Sequence, residues 1–490
     1  MENLFDEKIG GFGLYQKTIL LISIGGISIL SSFNVYSTIF IIAKPKLICK
    51  STLDGSSRIN DCHLWSSLNT KPNSSLPLEH SCEFDKTYYG STLINDWELV
   101  CEKEFQASLI QTMFLVGTLT ALFGGSLGDS YGRKKCCFVY ALIMSLILVL
   151  NQTLQLEQLP LDNQHRYIIF CVAQFVTGFL NNSLYVTAYV LLVEFVSVKH
   201  NTLVSNLNLY FYVFGELIVL CIAYFARDWR ILSWSKVAYC VFITVCIFFF
   251  LPESPRYLLA HNKFDELYSI LRKIALMNGT IKNMPDKEQI VEYFLMSEAT
   301  GFHKSNKVGD VVKYEDEAKS SSNTKLILGY LLSPVSNLLH TVLLSYIWFS
   351  ISLIYYGVSL GITSVGNSNP YVVYLFSSLA ETVGYMACHL NDRFSRKRVF
   401  FAFIALASLM CLSVALIPVD KDAKVASVFP TKWNTILIMV FALFGKTMAS
   451  ASYNSAYMFT VQTFPTELRT TFLLFISGMG KIGKCFYFYF

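Results

Sequence analysis

Apolar runs of about twenty residues, separated mostly by short polar stretches, recur along nearly the whole chain. They lie at 17–42, 105–127, 136–155, 168–192, 203–225, 235–251, 338–362, 371–390, 399–418, 433–456 and 470–490. A helix needs about 20 mostly apolar residues to cross the hydrocarbon core, so the pattern predicts eleven membrane spans. In lipid only helices and closed barrels satisfy their own backbone groups, and runs this long and continuous predict helices. No short apolar region with a cleavage site precedes the first run, which is read as a span. Two connections are long and polar, 43–104 and 252–335. They divide the chain into an N-terminal six-helix half, 1–251, which contains loop 43–104, a central linker, 252–335, and a C-terminal half, 336–490, holding spans seven to eleven. The predicted fold class is an all-α polytopic membrane protein.

Composition agrees with this picture and narrows it. The 490 residues are 53% apolar and 15% charged, with 39 Phe and 28 Tyr. Disordered chains and small disulfide scaffolds are excluded, and a cytosolic enzyme is disfavoured. The net charge of +5 is small and dispersed, so no nucleic-acid partner is expected. The eight His are scattered and form no catalytic or metal cluster, and no Gly-rich phosphate loop is present. No enzyme activity, cofactor or metal is expected.

The densest basic clusters follow span two (Arg133, Lys134, Lys135) and span eight (Arg393, Arg396, Lys397, Arg398). Both fall on the cytoplasmic side if the N-terminus is cytoplasmic. Four of the 13 cysteines, Cys49, Cys62, Cys82 and Cys101, lie in loop 43–104, and the central linker has none. An even set in one polar loop points to two disulfides in an oxidising space, with three pairings open; zinc and coincidence are the other readings. The same loop carries the sequon Asn73-Ser-Ser, a glycan acceptor outside the cell. The sequon at Asn278 falls in the linker and should stay unused.

One motif occurs twice. Gly125-Ser-Leu-Gly-Asp129-Ser-Tyr-Gly132-Arg133 ends span two, and Asn391-Asp392-Arg393-Phe-Ser-Arg396 follows span eight. Glu194 after span four is echoed by Gln462, ahead of Pro-Thr-Glu-Leu-Arg469. Matching loops in two halves are a feature of transporters built from internal repeats. An Asp at a cytoplasmic helix end can pair with Arg of a neighbouring helix and latch that side.

The Gly125–Lys135 run resembles the loop motif of the major facilitator superfamily. More narrowly, the chain resembles solute carrier family 22, the organic cation, organic anion and carnitine transporters. The likeness rests on Gly10–Gln16, Asn95-Asp-Trp97 to Cys101, Asp228-Trp229-Arg230, Pro252-Glu-Ser-Pro-Arg-Tyr-Leu258, Tyr355–Leu360 and Phe464–Arg469. The resemblance implies two six-helix halves that rock about a central site, a plasma-membrane location and a small organic ion as substrate. It also implies a twelfth helix, so the chain, which ends at Phe490, is read as lacking the last one; a non-transporting truncated product is one alternative. Gating is expected from Gly125, Asp129, Gly132, Arg133, Glu194, Asp392, Arg396 and Arg469. Gln174, Asn201, Ser395 and Gln462 depart from the family pattern and thin that network. The coupling ion or counter-substrate is left open, and the bilayer is the other partner.

Ionisable groups inside spans are functional candidates by default. The resemblance places Glu381 where cation and carnitine transporters have Glu and Lys481 where the family's substrate charge preference is read, whereas Glu216 has no family counterpart. Lys481 reads as the only cation away from the end of a span. Trp348 and Tyr355, two turns apart on one face, are expected to line the cavity. An acid with a base suits a zwitterion or an organic anion, and the sequence leans that way. Tyr385, where family anion carriers tend to have Lys, weakens the pure anion reading; an organic cation is the alternative.

Overall fold

The computed structural model describes residues 11–51, 57–59, 62, 65, 80–120, 124, 127–128, 131–155, 162–196, 200–290, 335–361, 369–417, 431–463 and 469–486. A helix stands at every predicted span. These are α1 (Leu14–Ile41), α2 (Glu104–Thr120), α3 (Arg133–Leu154), α4 (Asn163–Phe195), α5 (Asn201–Ala226) and α6 (Trp229–Phe250). They continue as α7 (Val335–Gly361), α8 (Pro370–Ala387), α9 (Arg396–Leu416), α10 (Thr431–Thr463) and α11 (Arg469–Phe486). Eight of the eleven are long and apolar enough to cross a membrane; α2, α8 and α11 are described over only 17 or 18 residues. Helices α4 and α10 run to 33 residues each, beyond their apolar runs. Hydropathy marks only the hydrocarbon depth, and a helix continues past it into the headgroup region.

Local chemistry sets the starts. Asn369 Oδ1 accepts the Tyr371 N–H at 3.0 Å with Pro370 in the first turn of α8, and Asp228 Oδ1 accepts the Arg230 N–H at 2.7 Å at the start of α6. Helix α1 carries one π-helical turn, Leu20–Ile24.

The packing order repeats. Helix α1 lies on α5, α2 on α4 and α3 on α4; correspondingly α7 lies on α11, α8 on α10 and α9 on α10. The α2–α4 crossing needs two glycines. A Cβ at Gly117 would stand 2.0 Å from the Phe175 carbonyl oxygen, and one at Gly178 would stand 2.1 Å from that of Phe114. Without a hydrophobic drive between helices in lipid, such backbone approach supplies the packing. Between the first six helices and the last five, the main contacts are α5 with α8 and α2 with α11.

The segment after α1 is more than a loop. Strands β1 (Leu47–Ser51), β2 (Ser57–Ile59) and β3 (His80–Phe84) form an antiparallel sheet in the order β2-β1-β3. Cys49 and Cys82 are directly opposed in its register and are joined, and Cys62 is joined to Cys101. The structure thus selects one of the three pairings the sequence allows. Asn73 lies outside the described residues. The sequence treats 252–335 as a plain linker, but its beginning folds into helices Pro255–Ala260 and Phe264–Asn278. The second is amphipathic and buries Leu267, Leu271, Ile274 and Ala275. At its end the Asn278 side chain accepts the Tyr15 N–H at 3.0 Å and donates to Gln16 at 3.1 Å, docking this segment on α1.

Candidate functional site

Helix α8 shows how the site is made. Tyr374, Ser377, Ser378, Glu381 and Tyr385 are buried, while Val372, Leu375, Phe376, Leu379, Val383 and Met386 turn outward. The 3.6-residue period therefore gathers the polar groups of the helix, Thr382 apart, into one inward stripe. Glu381 is fully buried there. One of its carboxylate oxygens accepts from the Tyr385 hydroxyl at 2.6 Å and from the Tyr355 hydroxyl of α7. The other lies 3.1 Å from the Lys446 ammonium of α10. Lys446, 1% exposed, also donates to Ser377 at 2.7 Å and faces the Tyr355 ring with its nitrogen 6.0 Å from the centroid.

The first six helices close the other side. Glu216 of α5 is 0% exposed; one oxygen accepts from Ser378 at 2.8 Å, and the other has no hydrogen-bond partner, although the Tyr36 hydroxyl is within reach. Tyr36 of α1 lies 3.1 Å, oxygen to oxygen, from Tyr355. Asn454 of α10 donates to Asn206 of α5 at 2.9 Å. Rings of Tyr36, Tyr212 and Tyr374 meet edge to face, and Phe40 with Tyr371 closes one end by stacking at 5.6 Å. The result is a buried, ring-walled chamber packed with its own side chains, two carboxylates and one ammonium among them, built from α1, α5, α7, α8 and α10.

The structure brings Tyr355 and Glu381 together and separates the other two expected residues from them. Trp348 is fully buried with its indole N–H on Thr460 at 3.0 Å, and Tyr453 stands between it and Tyr355. Lys481 donates to the Thr118 carbonyl of α2 at 3.2 Å. One expectation is corrected: Lys481 is not the only cation deep in a span, because Lys446 lies buried in α10, where it pairs with Glu381. Lys446 was legible as a lone Lys inside the apolar run 433–456, but only the fold shows which acid it meets.

The expected gate is described in part. The Arg133 guanidinium lies 3.3 Å from Glu194, whose second oxygen accepts from Ser254. Glu253 accepts the N–H groups of Arg133 at 2.8 Å and Lys134 at 3.1 Å, satisfying the free donors that open α3. Gly132 is required here: its φ is +101°, and a Cβ would stand 2.6 Å from Glu253. Gly125 and Asp129, and the side chains of Asp392, Arg396 and Arg469, lie outside the described residues. Two distant motifs form one contact on the other side of the bundle. Asp96 accepts from the Trp229 indole at 2.7 Å and pairs with Arg230 at 2.8 Å.

Residues 65–486 match the family model of the sugar (and other) transporters. Among curated proteins the chain is 24% identical to the organic cation transporter protein of Drosophila melanogaster, covering 97% of this chain and 84% of that protein. It is 25% identical to organic cation/carnitine transporter 2 of Homo sapiens, over 97% and 83% respectively. It is 26% identical to solute carrier family 22 member 7 of Bos taurus, over 98% and 86%. Its fold is similar to that of the xylose transporter XylE from E. coli in a partially occluded inward-open conformation, with a TM-score of 0.62, 14% identity, and coverage of 97% of this chain and 90% of that one. With the repeated packing and the charged chamber in view, the chain belongs to the sugar (and other) transporter family of the major facilitator superfamily, as a multi-pass membrane transporter of the solute carrier family 22 type.

Proposed function

We propose that this transporter carries organic cations. The observation that carries the reading is the charge balance of the chamber: Glu216 and Glu381 against the single ammonium of Lys446, all buried. Among the described residues the surplus carboxylate is Glu216, and a positively charged nitrogen entering between the tyrosine rings would supply the missing counter-charge. The names of the fly and human relatives, an organic cation and an organic cation/carnitine transporter, point the same way. The lean of the sequence toward an anion or zwitterion depended on setting Lys481 against Glu381, a role Lys446 takes instead. Lys481 still favours a second reading, a zwitterion such as carnitine. Its ammonium has a backbone carbonyl as partner, and among the described residues no carboxylate pairs with it. Transport would proceed by rocking of 1–251 against 336–490, joined by 252–335, with Arg133, Glu194, Asp392, Arg396 and Arg469 at the gate. The site would lie in the plasma membrane, with the N-terminus in the cytoplasm.

Uptake of labelled tetraethylammonium, carnitine and p-aminohippurate by cells expressing the chain decides among these. Saturable tetraethylammonium uptake several-fold over mock cells, with p-aminohippurate at background, is expected. Uptake of p-aminohippurate alone would reject the cation reading, and carnitine alone would favour the second.

The orientation has its own check. An Asn73→Gln variant is expected to lose a glycosidase-sensitive mobility shift, and Asn278→Gln to keep it. Asn278 is committed to Tyr15 and Gln16, so a shift that disappears only with Asn278→Gln would invert the topology.

A further inference from the structure

Resting on the cation reading, we propose that Glu216 is the coupling site of the cycle: it holds a proton while the chamber is empty and gives it up when the organic cation enters. Transport is then a one-for-one, electroneutral exchange of cation for proton.

The inference starts from the closed state of the chamber. Glu216, Glu381 and Lys446 are 0%, 0% and 1% exposed. One Glu381 oxygen accepts from Tyr355 and Tyr385, and the other, without a hydrogen bond of its own, is held in an ion pair with Lys446. Glu216 accepts from Ser378 on one oxygen, has the Tyr36 hydroxyl within reach of the other, and among the described residues forms no ion pair. A buried charge persists only where opposite charge or hydrogen bonds offset its desolvation, and Lys446 can neutralise only one of two carboxylates. With no cation bound, the closed chamber therefore needs one further positive charge to change sides, and the smallest is a proton on the Glu216 oxygen that faces Tyr36. Intramembrane carboxylates serve as proton carriers for this reason.

Among the described residues, no other group facing Glu216 can take that role. Helix α1 presents Tyr36, α4 presents Tyr185 through Asn208, and α5 itself adds Tyr212. Helices α7 and α8 contribute Tyr355, Tyr356, Tyr374, Tyr385 and Glu381, and α10 contributes Lys446. Helix α6 turns Tyr239 to the Gly26 carbonyl and Lys236 into a separate small cavity with Gln174 and Asn151. The tyrosines are ordinarily neutral near pH 7, and Glu381 keeps its lysine. The balance is simple. Glu216 carboxylic acid becomes carboxylate, its proton passes to water on the side where the cation entered, and the cation replaces it as counter-charge. On the opposite side the cation leaves and a proton returns.

The test uses the purified full chain in liposomes with tetraethylammonium as probe. An inside-acid gradient of about two pH units, which limits one-for-one exchange to ~100-fold accumulation, is expected to stimulate uptake several-fold. A potassium–valinomycin potential should leave the rate unchanged. In detergent, adding tetraethylammonium should release about one proton per chain to a pH indicator dye at low buffer strength. Glu216→Gln should weaken uptake, abolish proton release and remove the response to the pH gradient, while Glu216→Asp retains it. Uptake by the parent chain that follows the potential and ignores the pH gradient overturns the coupling but leaves the cation reading standing. Absence of both binding and uptake of tetraethylammonium overturns the cation reading and the coupling with it. Wild-type proton release needs no variant, so a Glu216→Gln protein that fails to fold does not shield the proposal.

Discussion

Exchanging Lys446 for methionine is expected to destabilise the folded protein by about 3–5 kcal/mol, the cost of leaving a buried carboxylate without its partner. Lys446 stands 3.1 Å from Glu381 and both are essentially inaccessible, so water cannot replace the lost ammonium. Ser377 loses its donor as well. The double variant Lys446→Met, Glu381→Gln should regain most of the loss, because the neutral amide no longer demands a cation. Melting of detergent-purified protein, with surface abundance in cells, reads both. A single variant that melts with the parent would mean that the two side chains do not depend on one another. Uptake separates a second effect: even where the double variant folds, the chamber still has Glu216 but no ammonium, and its substrate preference should change.

Gly178→Val should disrupt assembly of the first six helices, by more than the roughly 1–3 kcal/mol typical of overpacking. The obstacle is the Phe114 carbonyl, 2.1 Å from where a Cβ would lie, and Gly117 faces the Phe175 carbonyl equally closely. Backbone cannot rotate aside as a side chain can, so α2 and α4 would have to separate along their contact. Gly128→Ala is the control, since its Cβ would meet only the Thr187 side chain, the methyl at 3.3 Å and the hydroxyl at 3.6 Å. Monodispersity in detergent and melting temperature should fall sharply for Gly178→Val and little for Gly128→Ala. Equal behaviour would show that assembly does not depend on the close α2–α4 approach.

The two experiments probe different depths of what the sequence discloses. Glycines near the middle of spans two and four are visible in the sequence, but nothing in it says that they face each other. Lys446 is visible in the same way within span ten. The Asn95-Asp96-Trp97 and Asp228-Trp229-Arg230 motifs each point to the family, yet their shared ion pair appears only when the chain is folded. Glu253 belongs to the Pro252–Leu258 motif, but its role as the acceptor for the first N–H groups of α3 depends on that helix starting beside it.

The sequence by itself determined the number and order of the spans, the cysteine-bearing loop, the repeat and the family. Each of these is a local property: hydrocarbon thickness fixes the length of an apolar run, and short motifs carry their own spacing. Tertiary structure decided the partners. It placed Lys446 rather than Lys481 on Glu381, set Trp348 behind Tyr453, joined Cys49 to Cys82, and turned Glu216 into a closed chamber. The physical reason is that a residue within a helix is fixed in direction only relative to its own axis. Which acid meets which base depends on the rotation and depth of two helices far apart in sequence, and those are set by packing across the bundle as a whole.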